Sequence, residues 1–138
     1  MDDSQARILY PKTDRLPQAW ASRFAYSYAV RTGELVWISG QIARNAAGEL
    51  VGQGDIRAQA VQVFENIKAA VEAAGGTMAD VVSTTTYITE RPQREVVTEI
   101  RHGYFPGPDH PCNTLLIVSG LGLPEYLVEI EAVAWVRR

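Results

Sequence analysis

Two hydrophobic periods run along this chain and separate its helices from its strands. In "YLVEIEAVAWV" every second residue is aliphatic: Val128, Ile130, Ala132, Ala134 and Val136 share one face of a strand. Ile56, Ala60, Val63, Ile67, Ala70 or Val71, and Ala74 instead recur at every third or fourth position, with Arg57, Gln62, Glu65, Lys68 and Glu72 between them. That is an amphipathic helix, capped by Asp55 at its start and closed by Gly75-Gly76. A second helix is predicted from Pro92 through Val96, Val97, Ile100 and Tyr104, and Pro106, Pro108 and Pro111 stop it. "YSYAVRTGELVWISG" reads as two strands around Thr32-Gly33, "RNAAGELVG" as a further hairpin-type connection, and "DVVSTTTYITE" as a β-branched strand. Strands over 114–119 and 126–136 close the chain, separated by a turn at 120–125. Residues 1–24 read as a short strand and an irregular arm broken by Pro11 and Pro17. The expected class is α+β, one domain over 1–138: a single mixed sheet with two helices packed on one face.

Two helices on one face leave the other face to be covered. "LVWISG" and "TLLIVSG" are apolar on both sides, and the second face of the last strand carries Glu129, Glu131, Val133 and Trp135. The expectation is self-association through the sheet, burying Val133 and Trp135 and leaving Glu129 in a partly enclosed cleft. An exposed apolar edge is the plainer alternative.

Composition narrows the function classes. The chain has 138 residues with a formal charge of −3, and its basic residues are scattered apart from Arg137-Arg138. A nucleic-acid partner would call for a concentrated basic face. No apolar run approaches the ~20 residues of a membrane span. One cysteine allows no internal disulfide, and no signal peptide is apparent, so a cytoplasmic location is expected. With two histidines and that single cysteine, no zinc-ligand spacing can be written. Neither a phosphate loop nor a nucleophile elbow is present.

The candidate chemistry is sparse. Glu129 and Glu131 project to the same side of one strand, about 7 Å apart. Paired carboxylates can position a water or move protons, although an ion-paired strand face looks the same in sequence. Apolar neighbours single out Glu129, since burial would perturb its titration. Gly40, after Ser39 in "ISGQ", offers close backbone approach or merely a turn. Tyr26 offers a phenol or a core ring. Cys112 in "HPCNTLL" has His110 two residues away, but a small buried hydrophobe is the expected role of the cysteine. His102 reads as a solvated helix residue.

Taken together, "YSYAV", "VWISGQI", "GELVGQGDIRAQAVQVFENIKAAVEAAGGTMADVVSTTTYIT" and "YLVEIEAVA" resemble the RidA/YjgF (Rid) family of enamine/imine deaminases over residues 26–138. The resemblance implies a chorismate-mutase-like fold, a homotrimer with a ligand cleft at each subunit interface, and cofactor-free hydrolysis of a small imine or enamine to a carbonyl compound and ammonia. It implies that Gly40 contacts the imine through its backbone, that Glu129 helps place the attacking water, and that Tyr26 and Ser39 line the cleft. The family's carboxylate-gripping arginine falls at Asn113, and there the pattern breaks.

That break bears on specificity. An arginine fork is charge-assisted, whereas asparagine offers a neutral amide on a short stem. Losing the fork typically costs ~2–5 kcal/mol with a desolvated charged partner. The resemblance therefore implies weak or absent 2-aminoacrylate turnover, with Asn113 and Thr114 hydrogen-bonding a neutral or hydroxylated small molecule. Neither Arg91 nor Arg101 is placed by the sequence. Three readings compete: a divergent Rid-family hydrolase, a trimeric small-molecule-binding protein without turnover, and an endoribonuclease, which rests on an older family label alone. No cofactor, metal, nucleic acid or membrane is expected.

Overall fold

Asp55 is extended, and its side chain accepts a hydrogen bond from the Ala58 amide at 3.1 Å, which starts the long helix where the sequence places it. In the computed structural model, which describes residues 7–137, this helix is α2, Ile56–Ala73. Gly75 follows with a φ of 92°, a left-handed end that glycine adopts without strain. The second long helix, α3, runs Gln93–Tyr104 after Pro92. The remaining elements are β1 (Ile8–Leu9), α1 (Gln18–Arg23), β2 (Ala29–Thr32), β3 (Leu35–Gln41), β4 (Val81–Ile88), β5 (Cys112–Ile117) and β6 (Val128–Trp135).

The six strands form one mixed sheet in the order β1-β2-β3-β6-β4-β5. Every pair is antiparallel except β4–β5, which is parallel and joined through α3, as a parallel pair requires a crossover. Val128, Ile130, Ala132, Ala134 and Val136 all point into the core with Val63, Phe64, Ile67 and Val71 of α2 and Val97 and Ile100 of α3. The alternating pattern of the last strand and the two expected helices are thus realised. The hairpin-type connection is present as well, as a bridge between Arg44 and Leu50.

Two corrections follow. The arm within 1–24 is not wholly irregular: its residues 18–23 form α1, with Ala21 in the core and Trp20 against Phe24 at 4.9 Å between ring centroids. Only six residues long, α1 is too short to leave a periodic signal. Cys112 is exposed rather than buried, because it opens β5 at the margin of the sheet instead of preceding a buried strand. Residues 1–6 of the arm and Arg138 lie outside the described residues.

Buried polar side chains tie the loops to this frame. Gln59 on α2 is fully buried; its Nε2 donates to the carbonyls of Gly52 and Glu125 at 3.0 and 2.9 Å, and its Oε1 accepts from the Leu127 amide at 2.9 Å. Asn66, two turns further along the same face of α2, donates to the carbonyls of Ile42 and Arg44 at 3.0 and 2.9 Å. Gln59→Leu would orphan the Glu125 carbonyl and the Leu127 amide, while the Gly52 carbonyl keeps the Asp55 amide at 2.9 Å, and each buried orphan costs roughly 1–3 kcal/mol. Urea unfolding is expected to show a loss on the order of 3 kcal/mol, with the main defect in the segment before β6.

Candidate active site

β6 decides which way its carboxylates look. Val128 and Ile130 are in the core, so Glu129 between them must face away from the helices. Beside it, β3 departs from regular pairing: Ile38 pairs with Ala132 and Gln41 with Ile130, so two residues of β3, Ser39 and Gly40, lie against one of β6, Glu131. Both Ile38 and Gln41 are buried, and the bulge between them turns Ser39 and Gly40 outward toward Glu129. Local hydrogen bonds hold the bulge: the Ser39 amide donates to the Tyr28 carbonyl at 3.0 Å, its hydroxyl to the Ser27 carbonyl, and Gln41 Nε2 to the Ser39 carbonyl at 2.9 Å.

Gly40 is there for space rather than for turning. A methyl group at this position would lie 2.6 Å from Glu129 Oε2 and 2.9 Å from Glu129 Cδ. The glutamate carboxyl therefore rests directly against the strand backbone, with the Gly40 peptide beside it.

Around this contact lies a cavity of ≈ 380 Å³. Trp20, Phe24, Tyr26, Ile42, Leu123 and Tyr126 give it an apolar, aromatic wall, completed by Ser39, Gly40, Gly122 and Glu129. No lysine or arginine is among these lining residues. Arg44 stands behind the wall, stacked 3.9 Å over the Trp20 ring and donating from Nε to the Tyr126 hydroxyl at 2.6 Å. It joins α1 to the loop before β6 and is held in turn by the Gly48 carbonyl at 2.7 Å.

Burial in this cavity pushes the Glu129 carboxyl above the usual carboxylate range, and the neighbouring charge of Glu131 adds to the rise. Glu131 itself is exposed and accepts a hydrogen bond from the Tyr87 hydroxyl at 2.7 Å. Burial likewise raises the phenol of Tyr26, which packs edge-on against Tyr28 at 5.5 Å. The phenol of Tyr126 is raised too, by burial against an opposing effect from Arg44. Glu129 is the one carboxyl among the cavity's lining residues, placed to exchange a proton with a small bound molecule.

Four of the six expected site residues meet here: Tyr26, Ser39, Gly40 and Glu129. Asn113 and Thr114 do not join them within one chain. Asn113 turns toward the helices, where its Oδ1 accepts from the hydroxyls of the buried Thr84 and Thr86, each at 3.0 Å. Thr114 follows on the opposite side of β5. Trp20, Phe24, Leu123, Tyr126 and Arg44 carry no sequence signal of their own and come to the site through tertiary contacts; only Tyr126 sits close to the "VEIEA" segment. Among the described residues no group of three or more His, Cys, Asp or Glu could hold a metal ion, and no helix is long and apolar enough to cross a membrane.

The sequence and the fold have counterparts among known proteins. The endoribonuclease L-PSP family profile matches residues 16–136. A RutC family protein of Pyrococcus horikoshii is 40% identical over 111 residues, covering 80% of this chain and 86% of that protein. Among solved structures, the Rid-family protein YyfA from Yersinia pestis superposes with a TM-score of 0.86 at 35% identity, covering 94% of this chain and 100% of the other. RidA from an Antarctic Psychrobacter superposes at 0.82 with 35% identity, covering 93% and 99%.

Ionisation of Glu129 acts against folding, because the folded state holds that proton more tightly than the unfolded chain. The penalty is absent below the ordinary carboxylate range, grows as pH rises through the interval up to the raised value, and is complete above it. Glu129→Gln is therefore expected to be more stable than the parent at neutral pH and to lack this decline, as read by urea unfolding between pH 4 and 8. Gly40→Ala is expected to displace the carboxyl toward water and return its titration, followed by carboxyl carbon NMR, toward the ordinary range.

Proposed function

We infer, because this chain belongs to the Rid family of endoribonuclease L-PSP-like proteins, that its Glu129 cavity hydrolyses a small reactive imine or enamine lacking an α-carboxylate. The observation that carries this reading is the half-buried Glu129 carboxyl pressed against Gly40 inside an aromatic cavity whose lining holds no cation. A substrate carboxylate would find no positive partner on these walls and a like charge in ionised Glu129. A neutral imine suits them better.

The chemistry needs only proton movement. Water adds to the imine carbon while Glu129 takes its proton and returns it to nitrogen, giving a carbinolamine; Glu129 then carries the hydroxyl proton to nitrogen, the C–N bond breaks, and ammonia leaves the carbonyl group. A carboxyl titrating above its usual range is a better partner for both steps near neutral pH than an ordinary one. The Gly40 peptide contacts the reacting nitrogen, and Tyr26 with Trp20 and Phe24 limits the water admitted to the site.

Asn113 and Thr114 enter such a cleft only from a neighbouring subunit. The outward face of the sheet favours that arrangement: Leu35, Trp37, Leu116 and Trp135 are exposed large apolar residues on its strands, and Val133 lies among them. A trimer assembled through this face would cover them and set β5 of one subunit beside the cavity of the next. RNA is disfavoured as substrate by the net charge of −3 and by the carboxyl at the centre of the cavity.

Two assays test the reading. With the imine released by oxidation of a simple primary amine, the protein is expected to accelerate carbonyl release, and Glu129→Gln to lose about 10²–10⁴-fold of that rate. With 2-aminoacrylate generated from serine by a dehydratase, pyruvate formation is expected to quicken little. Strong acceleration of the second reaction without the first would overturn the assignment of substrate class. Sedimentation velocity is expected to give the mass of a trimer; a stable monomer would remove Asn113 and Thr114 from the cleft.

A further inference from the structure

One side chain in the wall of the Glu129 cavity is held at more points than a wall requires. Tyr126 is buried, and its backbone is bracketed from α2: Gln59 binds the Glu125 carbonyl and the Leu127 amide on either side of it, each at 2.9 Å. Its own amide donates to the Leu123 carbonyl at 3.1 Å. At the far end of the ring, Arg44 Nε donates to the phenol oxygen at 2.6 Å, with the guanidinium 5.4 Å from the ring centroid. Arg44 is fixed in turn by the Trp20 ring and the Gly48 carbonyl, and no carboxylate pairs with it among the described residues.

This arrangement decides what the phenol can still do. Arginine only donates, so the Tyr126 oxygen is the acceptor of that bond and its own O–H hydrogen remains to be given. Among the described residues nothing accepts it, whereas the Ser39 hydroxyl on the same wall is committed to the Ser27 carbonyl. Tyr126 lines the cavity together with Glu129, so its uncommitted hydrogen is at the disposal of whatever occupies that space. The guanidinium draws charge from the phenol oxygen, an effect that works against the rise burial causes, and a phenol polarised in this way is a stronger donor.

We propose that Tyr126 gives its hydroxyl hydrogen to the oxygen atom of the cavity's ligand, first the carbinolamine hydroxyl and then the carbonyl product, and that Arg44 is its positioning residue. The catalytic consequence rests on the hydrolysis proposed above; the contact with a neutral carbonyl oxygen needs no turnover. When Glu129 carries the hydroxyl proton to nitrogen, the carbinolamine oxygen gains negative charge before the C–N bond breaks. The electron pair of that bond leaves with ammonia, an oxygen pair closes the carbonyl, and Tyr126 keeps its own proton throughout. A donor fixed at this oxygen favours the charged species over the starting imine, which has no oxygen there, and so acts on the rate more than on substrate binding.

The probe is cyclopentanone, a small neutral ketone, titrated into the whole protein with the tyrosine ring carbons labelled for NMR. Saturable binding is expected, with a Cζ resonance shifting that Tyr126→Phe removes, and that variant is expected to bind the ketone about tenfold more weakly. Arg44→Gln is expected to weaken binding severalfold alone and to add nothing to Tyr126→Phe, since it acts through the phenol; an equal loss in both backgrounds overturns its positioning role. In the imine assay, Tyr126→Phe is expected to lower kcat on the order of 10²-fold with KM little changed. A ketone that does not bind, or binds the folded Tyr126→Phe variant as well as the parent, overturns the proposal, as does a rise in KM with kcat kept. Melting curves identify any variant that fails to fold, and the Cζ shift in the parent then decides. If the parent hydrolyses no imine, the Glu129 reading fails by itself, while the ketone titration still tests the Tyr126 contact.

Discussion

Because Val128 and Ile130 are committed to the core, the residue between them has no choice of side, and Glu129 must stand on the face that the helices do not cover. The rest of the site is built to accept that consequence. β3 carries a bulge opposite, Gly40 leaves the volume of a methyl group for the carboxyl, and α1 folds its aromatic residues over the opening. Gln59 and Asn66 fix the two loops that complete the wall through buried hydrogen bonds from the same helix. The helix that supplies more of the core than any other element thus also sets the shape of a cavity on the far side of the sheet.

Burial and chemistry pull in opposite directions at this carboxyl. A residue chosen for stability alone would not be ionisable in an aromatic cavity, because removing the charge from water raises the energy of the folded state. The same raised proton affinity is what makes an acid useful near neutral pH. The balance is struck beside a frame in which Gln59 and Asn66 are hydrogen-bonded through both their amide nitrogen and their amide oxygen.

The fold was legible where a residue's role depends on its near neighbours in sequence. The Asp55 cap, the three-to-four spacing of α2 and the alternation of β6 are local rules, and each appears in the structure within a residue or two of where it is read. α1 escaped because a six-residue helix writes too little pattern, and Cys112 was misjudged because being at a sheet margin is a property of strand order. The site was half legible for the same reason. Ser39, Gly40 and Glu129 stand on paired strands, and Tyr26 lies three residues before the strand beside them, whereas Asn113 turns on the topology of the parallel pair. Strand order and helix docking are long-range facts that no short window carries.

The contact between Gly40 and Glu129 has a consequence for how lineages of this fold can change. A glycine retained for a left-handed turn is held by its own backbone and tolerates change in its surroundings. Gly40 is held by another residue's carboxyl, 89 positions away by number but touching in space. The two positions therefore constrain each other: while the glutamate stays, any larger residue at 40 evicts it, and once the glutamate is gone the glycine is released. Joint retention of both would mark chains that keep the acid in place, and drift at either one would mark chains in which it has been given up.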